Sequence, residues 1–110
     1  MNAITTEAET LSPLFAMRKK LAPVLELALA ISTGHVSQET AEHLDSKTVE
    51  VLSYPLGKDG WMIYAEELPG TGPIPADLEK VLAFAKSLGC VWLLLDCDAP
   101  AIDELPTFDW

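Results

Sequence analysis

A run of five apolar residues, Val91–Leu95, places the tightest constraint on what this chain can fold into. A strand with one solvated face alternates apolar and polar side chains, whereas this run is apolar at every position. Both faces of the strand therefore need cover. The chain has 110 residues, of which 49% are hydrophobic, and this is enough for one core without disulfides or metals. We expect one domain over residues 12–110, preceded by a flexible arm at residues 1–11.

The other hydrophobic patterns predict a helix followed by the order β-α-β-β-α-β. Proline directly after Ser12 is typical of a helix start, and Pro23 ends that helix. The segment Gly57–Gly60 separates two β-rich runs and predicts a hairpin. The predicted helices cover residues 12–22, 37–44 and 76–88, and the predicted strands cover residues 24–33, 49–56, 61–66 and 91–95.

This order predicts an α+β fold with a four-stranded sheet of the split βαβ, ferredoxin-like type and an extra N-terminal helix. Such a sheet leaves one face bare, which conflicts with the apolar strand at Val91–Leu95. The N-terminal helix, through Phe15, Met17 and Leu21, is the available cover, and a homodimer that buries the same face is the competing cover. In the alternative arrangement, a small α/β sandwich, the first and last strands run parallel.

The charge balance limits the partners that the chain can bind. Seventeen Asp and Glu stand against seven Lys and Arg, for a formal net charge of −10. Because Lys and Arg supply most of the affinity for nucleic acids and anionic membranes, we expect no direct binding to either. The acidity favours a basic protein partner. The acidic N-terminus, which does not resemble a signal peptide, and the lack of an apolar run long enough to span a bilayer predict a cytoplasmic protein.

Half of the formal net charge lies in the last fifth of the chain. From Cys90 onward there are five acidic residues and no Lys or Arg. The chain then ends in aromatic residues, which we expect to pack back on the domain or into a partner. The predicted partner-binding residues are Asp103, Glu104, Phe108, Asp109 and Trp110.

A second group of polar residues follows the first and last strands. Asp96 and Asp98 come directly after the last strand, and two such carboxylates could share one Mg²⁺ or Mn²⁺. Thr33 and His35 follow the first strand. If the two strands are parallel neighbours, all four residues meet at one sheet edge. In the ferredoxin-like order the two groups are roughly 17–20 Å apart and form no joint site.

The same residues also have a structural interpretation, as an acidic turn and a loop histidine bonded to backbone. The carboxylates beside Cys97 should raise the pKa of its thiol, which is wrong for an activated nucleophile. The sequence leaves metal binding open, and we expect no cofactor.

Three segments are distinctive as a set: Ile31–Thr40, Gly89–Ala99 and Leu105–Trp110. Together they resemble an uncharacterised family of small bacterial proteins, a domain of unknown function found on plasmids and integrative elements. The resemblance covers residues 24–110 and assigns no catalytic role to His35, Asp96 or Asp98. What it implies is an accessory protein of mobile DNA.

These observations leave two main hypotheses for function. The favoured one is a non-catalytic acidic accessory protein of mobile DNA, which acts by protein–protein interaction and masks a basic or nucleic-acid-binding partner. The alternative is a small divalent-metal-dependent enzyme or ligand-binding protein centred on Asp96, Asp98 and His35. The sequence contains no complete catalytic set, which favours the first. A third hypothesis is a domain that functions only within an oligomer.

Overall fold

The computed structural model describes residues 13–66 and 72–110, and the predicted arm at residues 1–11 lies outside them. The α+β class and the N-terminal helix are confirmed. Within the described residues, no helix is long and apolar enough to cross a membrane. The helices are α1 (residues 13–21), α2 (Gln38–Asp45) and α3 (Ala76–Ser87), and the strands are β1 (Ala28–Ser32), β2 (Ser53–Pro55), β3 (Trp61–Tyr64) and β4 (Trp92–Asp96).

Local sequence signals set the ends of these elements. The Ser37 side chain accepts a hydrogen bond from the backbone N–H of Thr40 at 3.2 Å and so caps the start of α2. Gly89 follows α3 with a φ of 81°, in the left-handed region that favours glycine. Short 3-10 turns occupy Ala22–Val24, between α1 and β1, and Thr33–His35, after β1.

The sheet has the strand order β1-β4-β3-β2, with β1 parallel to β4 and β3 antiparallel to both of its neighbours. The arrangement with parallel first and last strands is therefore confirmed, and the ferredoxin-like strand order is not the one adopted. Eleven residues, 65–75, separate β3 from α3. A linker of this length can span about 36 Å, more than the length of the sheet. The helix can therefore begin at the far end of β3, and β4 then runs antiparallel to β3 instead of parallel to it.

The central position of β4 follows from its composition. Its side chains are apolar on both faces, whereas β1 alternates larger residues with Ala28, Ala30 and Ser32. A strand that is apolar on both faces loses most contact with water when it has neighbours on both sides. The strand β1 occupies an edge position, because the side chains on one of its faces are small.

One face of the sheet packs on α2 and α3 and forms the core. The inward residues of β1 and β4, Ile31, Leu93 and Leu95, are fully buried there. The two helices cover them with side chains that recur at helical spacing. Those helix residues are Ala41 and Leu44 from α2 and Leu78, Val81, Leu82 and Ala85 from α3.

The opposite face of the sheet, called here the open face, carries apolar side chains that no helix among residues 13–66 and 72–110 covers. Two cross-strand rows form it, and their aromatic rings pack together, with the Tyr64 and Trp92 centroids 5.4 Å apart. The prediction that the N-terminal helix covers this face is wrong, because every residue from 13 to 28 is exposed. The open face consists of Ala28, Ala30, Tyr54, Met62, Tyr64, Trp92 and Leu94.

Candidate functional site at the carboxyl edge of the sheet

The parallel pairing of β1 and β4 brings their carboxyl ends to one edge of the sheet. Ser32 lies opposite Asp96 at the end of the ladder. The turn that holds Thr33 and His35 therefore leaves the sheet beside the turn that holds Asp98. All four predicted site residues lie at this edge, but their side chains differ in burial and in hydrogen-bond partners.

His35 is a buried residue whose ring clamps the end of the chain to the turn after β1. Its side chain is 1% exposed, and both ring nitrogens bond to the backbone of the last residues of the chain. Nδ1 lies 2.8 Å from the carbonyl oxygen of Pro106, and Nε2 lies 3.0 Å from the backbone nitrogen of Ile102. The carbonyl can only accept and the N–H can only donate. The ring is therefore the neutral tautomer with its proton on Nδ1.

Three more hydrogen bonds hold the C-terminal tail, residues 100–110, to the same turn. The Ser32 N–H donates to the carbonyl of Pro100 at 3.0 Å. The Phe108 N–H donates to the carbonyl of Gly34 at 2.8 Å, and the Trp110 indole N–H donates to that of Val36 at 2.8 Å. Leu105 is buried in the core. The tail is thus fixed along its whole length.

The charged and aromatic side chains of the tail face solvent. Asp103 and Glu104 are exposed in the bend between the two His35 contacts, and Asp109 is exposed beyond them. Phe108 and Trp110 remain 40% and 53% exposed although their backbone or indole groups are bonded to the domain. The five predicted partner-binding residues are therefore exposed parts of an ordered, acidic tail, and together they are called here the tail surface.

The turn after β4 is stabilised by its own aspartates. The carboxylate Oδ1 of Asp96 accepts a hydrogen bond from the backbone N–H of Asp98 at 2.9 Å, which is a typical turn made by an aspartate. One ligand atom each from Asp96, Cys97 and Asp98 lie within 4.8 Å of one another. Local desolvation and the negative charges of Asp98, Asp96 and Asp59 raise the pKa of the Cys97 thiol. The thiol therefore stays protonated at neutral pH.

This geometry limits the chemistry of the edge. His35 has no free nitrogen to bind a metal or to move a proton, because both are bonded to the tail. Asp96 and Asp98 are left with exposed or half-exposed carboxylates that could contact a hard cation through oxygen. In the described part of the chain, the group of possible metal ligands at this edge includes Cys97 and does not include His35.

Asp77 is a hydrogen-bonded residue near this edge that the sequence did not indicate as a candidate. Its carboxylate accepts from the Ser37 N–H at 2.7 Å and from the Thr40 hydroxyl at 2.8 and 2.9 Å, and so ties the start of α3 to the start of α2. It also lines a cavity of about 210 Å³ between α3 and the tail, together with His35 and Phe108. The sequence signal was only that of an acidic residue in the first turn of a helix.

The pKa of Asp77 is lower than its ordinary value. Burial acts to raise it, but hydrogen bonds from the Ser37 N–H, the Thr40 hydroxyl and the Leu78 N–H outweigh that effect. A carboxyl whose pKa is lower in the folded chain stabilises the fold fully above the unfolded pKa of about 3.9. That stability is lost as the pH falls through the folded value.

We expect Asp77→Asn to lower the free energy of unfolding at neutral pH by about 1–2 kcal/mol, because the amide places an N–H against a donor and removes the charge. The difference from wild type should shrink in urea unfolding at acid pH, where Asp77 is protonated. Glu79→Gln, an exposed residue in the same turn of α3, is the matched control and should change stability little at either pH. A difference that does not change with pH would contradict this account.

The fold and its clamped edge define a small acidic α+β domain whose C-terminal tail is bonded to the turn after its first strand. The chain belongs to the family of unknown function DUF5983, whose C-terminal domain matches residues 16–110. The predicted resemblance to a domain of unknown function is thus confirmed, and the match begins earlier than expected, within α1. No curated protein and no solved structure is similar enough to indicate a relationship. Family membership carries no activity over to the residues of this edge.

Proposed function

We propose that the protein is a non-catalytic accessory protein of mobile DNA that binds a basic protein partner through the tail surface. Binding covers the partner's positive charge and so masks a surface that would otherwise hold nucleic acid. The association with mobile DNA is what the family resemblance implies. The protein-binding role is supported by the structure of the tail.

The observation that carries the proposal is an acidic tail that is held rigid. An acidic tail without cations is usually disordered and loses entropy when it binds. Here the bonds to His35 and Gly34 hold the backbone, and the bond to Val36 holds the Trp110 indole. The carboxylates remain exposed and the two aromatic rings remain partly exposed. A surface that is already ordered binds with a smaller entropy loss. Exposed aromatic residues beside charges are typical of protein interfaces.

The test compares two triple variants with the same change in net charge. In the first, Asp103→Asn, Glu104→Gln and Asp109→Asn neutralise the tail surface. In the second, Glu39→Gln, Glu42→Gln and Glu79→Gln neutralise three exposed residues of α2 and α3. Each protein and the wild type is used as bait in the native host, and the captured proteins are quantified by mass spectrometry.

We expect the wild type and the helix variant to capture basic proteins that the tail variant does not capture. With a purified partner, the tail variant should bind at least about tenfold more weakly, with a steep dependence on salt. The partner should also lose its binding to nucleic acid when the wild type is added. Equal capture by the two triple variants would overturn the proposal, as would partners that are acidic.

The metal hypothesis is the alternative, and it rests on the carboxylates of Asp96 and Asp98 alone, since His35 is engaged. A melting temperature that rises with added Mg²⁺ or Ca²⁺, and no longer rises in Asp98→Asn, would favour it over the binding role.

A further inference from the structure

The open face of the sheet and the helix α1 are two apolar surfaces of one chain that do not cover each other. Trp92, Leu94 and Met62 lie at the centre of the open face, in the two middle strands. On α1, Leu14, Met17 and Leu21 recur at the spacing that places them on one stripe of the helix. These three helix residues are 67%, 53% and 39% exposed.

The segment between α1 and β1 is held in place. Leu27 accepts hydrogen bonds through its carbonyl from the N–H groups of Val91 and Trp92, at 2.9 and 3.3 Å. The Glu26 carboxylate accepts from the Trp92 indole N–H at 3.1 Å. Only one residue, Leu25, therefore separates the 3-10 turn at Ala22–Val24 from the residues bonded to β4. Although this connection is short, α1 remains exposed and does not pack on its own sheet.

We propose that α1 packs on the open face of a second copy of the chain, in a two-fold dimer where each copy gives a helix and receives one. Exchange of an element between identical chains is favoured when the hinge that joins it to the rest of the domain is short. The inference concerns a different surface from the tail surface and does not rest on the proposed function.

Charge complementarity favours a second copy as the occupant. Arg18, Lys19 and Lys20 on α1 are three of the seven basic residues, whereas residues 22–110 carry fifteen acidic residues and four Lys. Arg18 lies one turn from Leu14 and so borders the apolar stripe. At the border of the open face, Glu26 and Asp96 offer exposed or half-exposed carboxylates. A basic helix therefore meets an acidic domain.

The apolar area is sufficient for a stable dimer. Seven exposed apolar residues lie in α1 and the segment that follows it, and in a two-fold dimer each counts twice. At on the order of 100 Å² each, they amount to on the order of 1,400 Å². Stable interfaces bury about 1,200–2,000 Å². The seven residues are Leu14, Phe15, Met17, Leu21, Val24, Leu25 and Leu27.

The test measures the mass of the full chain in solution by light scattering and native mass spectrometry, from low to high micromolar concentration. We expect a dimer for the wild type. Met17→Glu should be a monomer, because it places a charge on the apolar stripe. Ala16→Glu adds the same charge to the other side of α1 and should remain a dimer. Circular dichroism checks that each variant keeps its fold.

A second pair of variants tests the exchange itself. Met62→Lys places a positive charge at the centre of the open face, where it repels the basic helix, and should also give a monomer. A mixture of Met17→Glu and Met62→Lys chains should form a heterodimer, because one wild-type helix then meets one wild-type sheet.

A wild-type monomer at high micromolar concentration would overturn the proposal. So would a monomer whose residues 13–21 are protected from hydrogen exchange, since the helix would then cover its own sheet. Equal dimerisation of Met17→Glu and Ala16→Glu, or no heterodimer in the mixture, would exclude α1 from the interface.

Discussion

Replacing His35 with alanine is expected to lower the free energy of unfolding by about 3–5 kcal/mol. The substitution leaves the part-buried Ile102 N–H and Pro106 carbonyl without their partner, and it opens a cavity where the fully buried ring was. Urea unfolding followed by tryptophan fluorescence measures the loss. Hydrogen exchange should also become faster at Ile102 and Phe108, because the tail is no longer held.

His43 provides the control for this experiment. It lies exposed on α2, and its Nδ1 bonds to the Thr48 hydroxyl at 2.7 Å at the surface. His43→Ala should lower stability by less than about 1 kcal/mol and leave exchange in the tail unchanged. If His35→Ala unfolds at the same urea concentration as the wild type, the imidazole is not what holds the tail.

Gly60→Ala is expected to destabilise the chain by about 2–3 kcal/mol. A Cβ at this position would lie 2.5 Å from the carbonyl oxygen of Leu95 and 2.7 Å from that of Leu56. Both atoms belong to the backbone, in β4 and in the hairpin, so neither can move without disturbing the sheet. The expected result is a lower melting temperature with an unchanged circular dichroism spectrum at low temperature.

Gly57 is the matched glycine in the same hairpin loop. It has open space around the position of a Cβ, but its φ of 65° is in the left-handed region. Gly57→Ala should therefore lower stability by about 1 kcal/mol through backbone strain alone. A larger loss at Gly57 than at Gly60 would show that backbone conformation, and not the close approach of β4, governs this loop.

Much of the local structure could be predicted from the sequence, because it depends on neighbouring residues. The hairpin around Gly57–Gly60 and the helix that ends before Gly89 both follow from turn residues and hydrophobic period. The first strand is shorter than predicted, since the alternating pattern continues back through Leu25 and Leu27, outside the bounds of β1. Alternation alone does not show where pairing with β4 begins.

The strand direction and the role of His35 could not be predicted in this way. The direction of β4 depends on the path of the chain between β3 and α3, which has no hydrophobic period to indicate it. The partners of His35 lie 67 and 71 residues further along the chain. Nothing near His35 in the sequence distinguishes a histidine bonded to backbone from a metal or substrate ligand, so the sequence permits both interpretations.

The place of β1 in the sheet has a consequence for how the chain folds during synthesis. In the described part of the chain its one neighbour is β4, which is made after the other three strands, and its turn is bonded to the tail that follows. When residues up to about 90 have left the ribosome, all residues of α2 and of the β2–β3 hairpin are present. The residues of β4 are not, so β1 has no strand to pair with. Pairing between the two ends of a chain raises contact order and slows folding. The sheet can therefore close only after β4 has been made, so its closure is a late step in the folding of this domain.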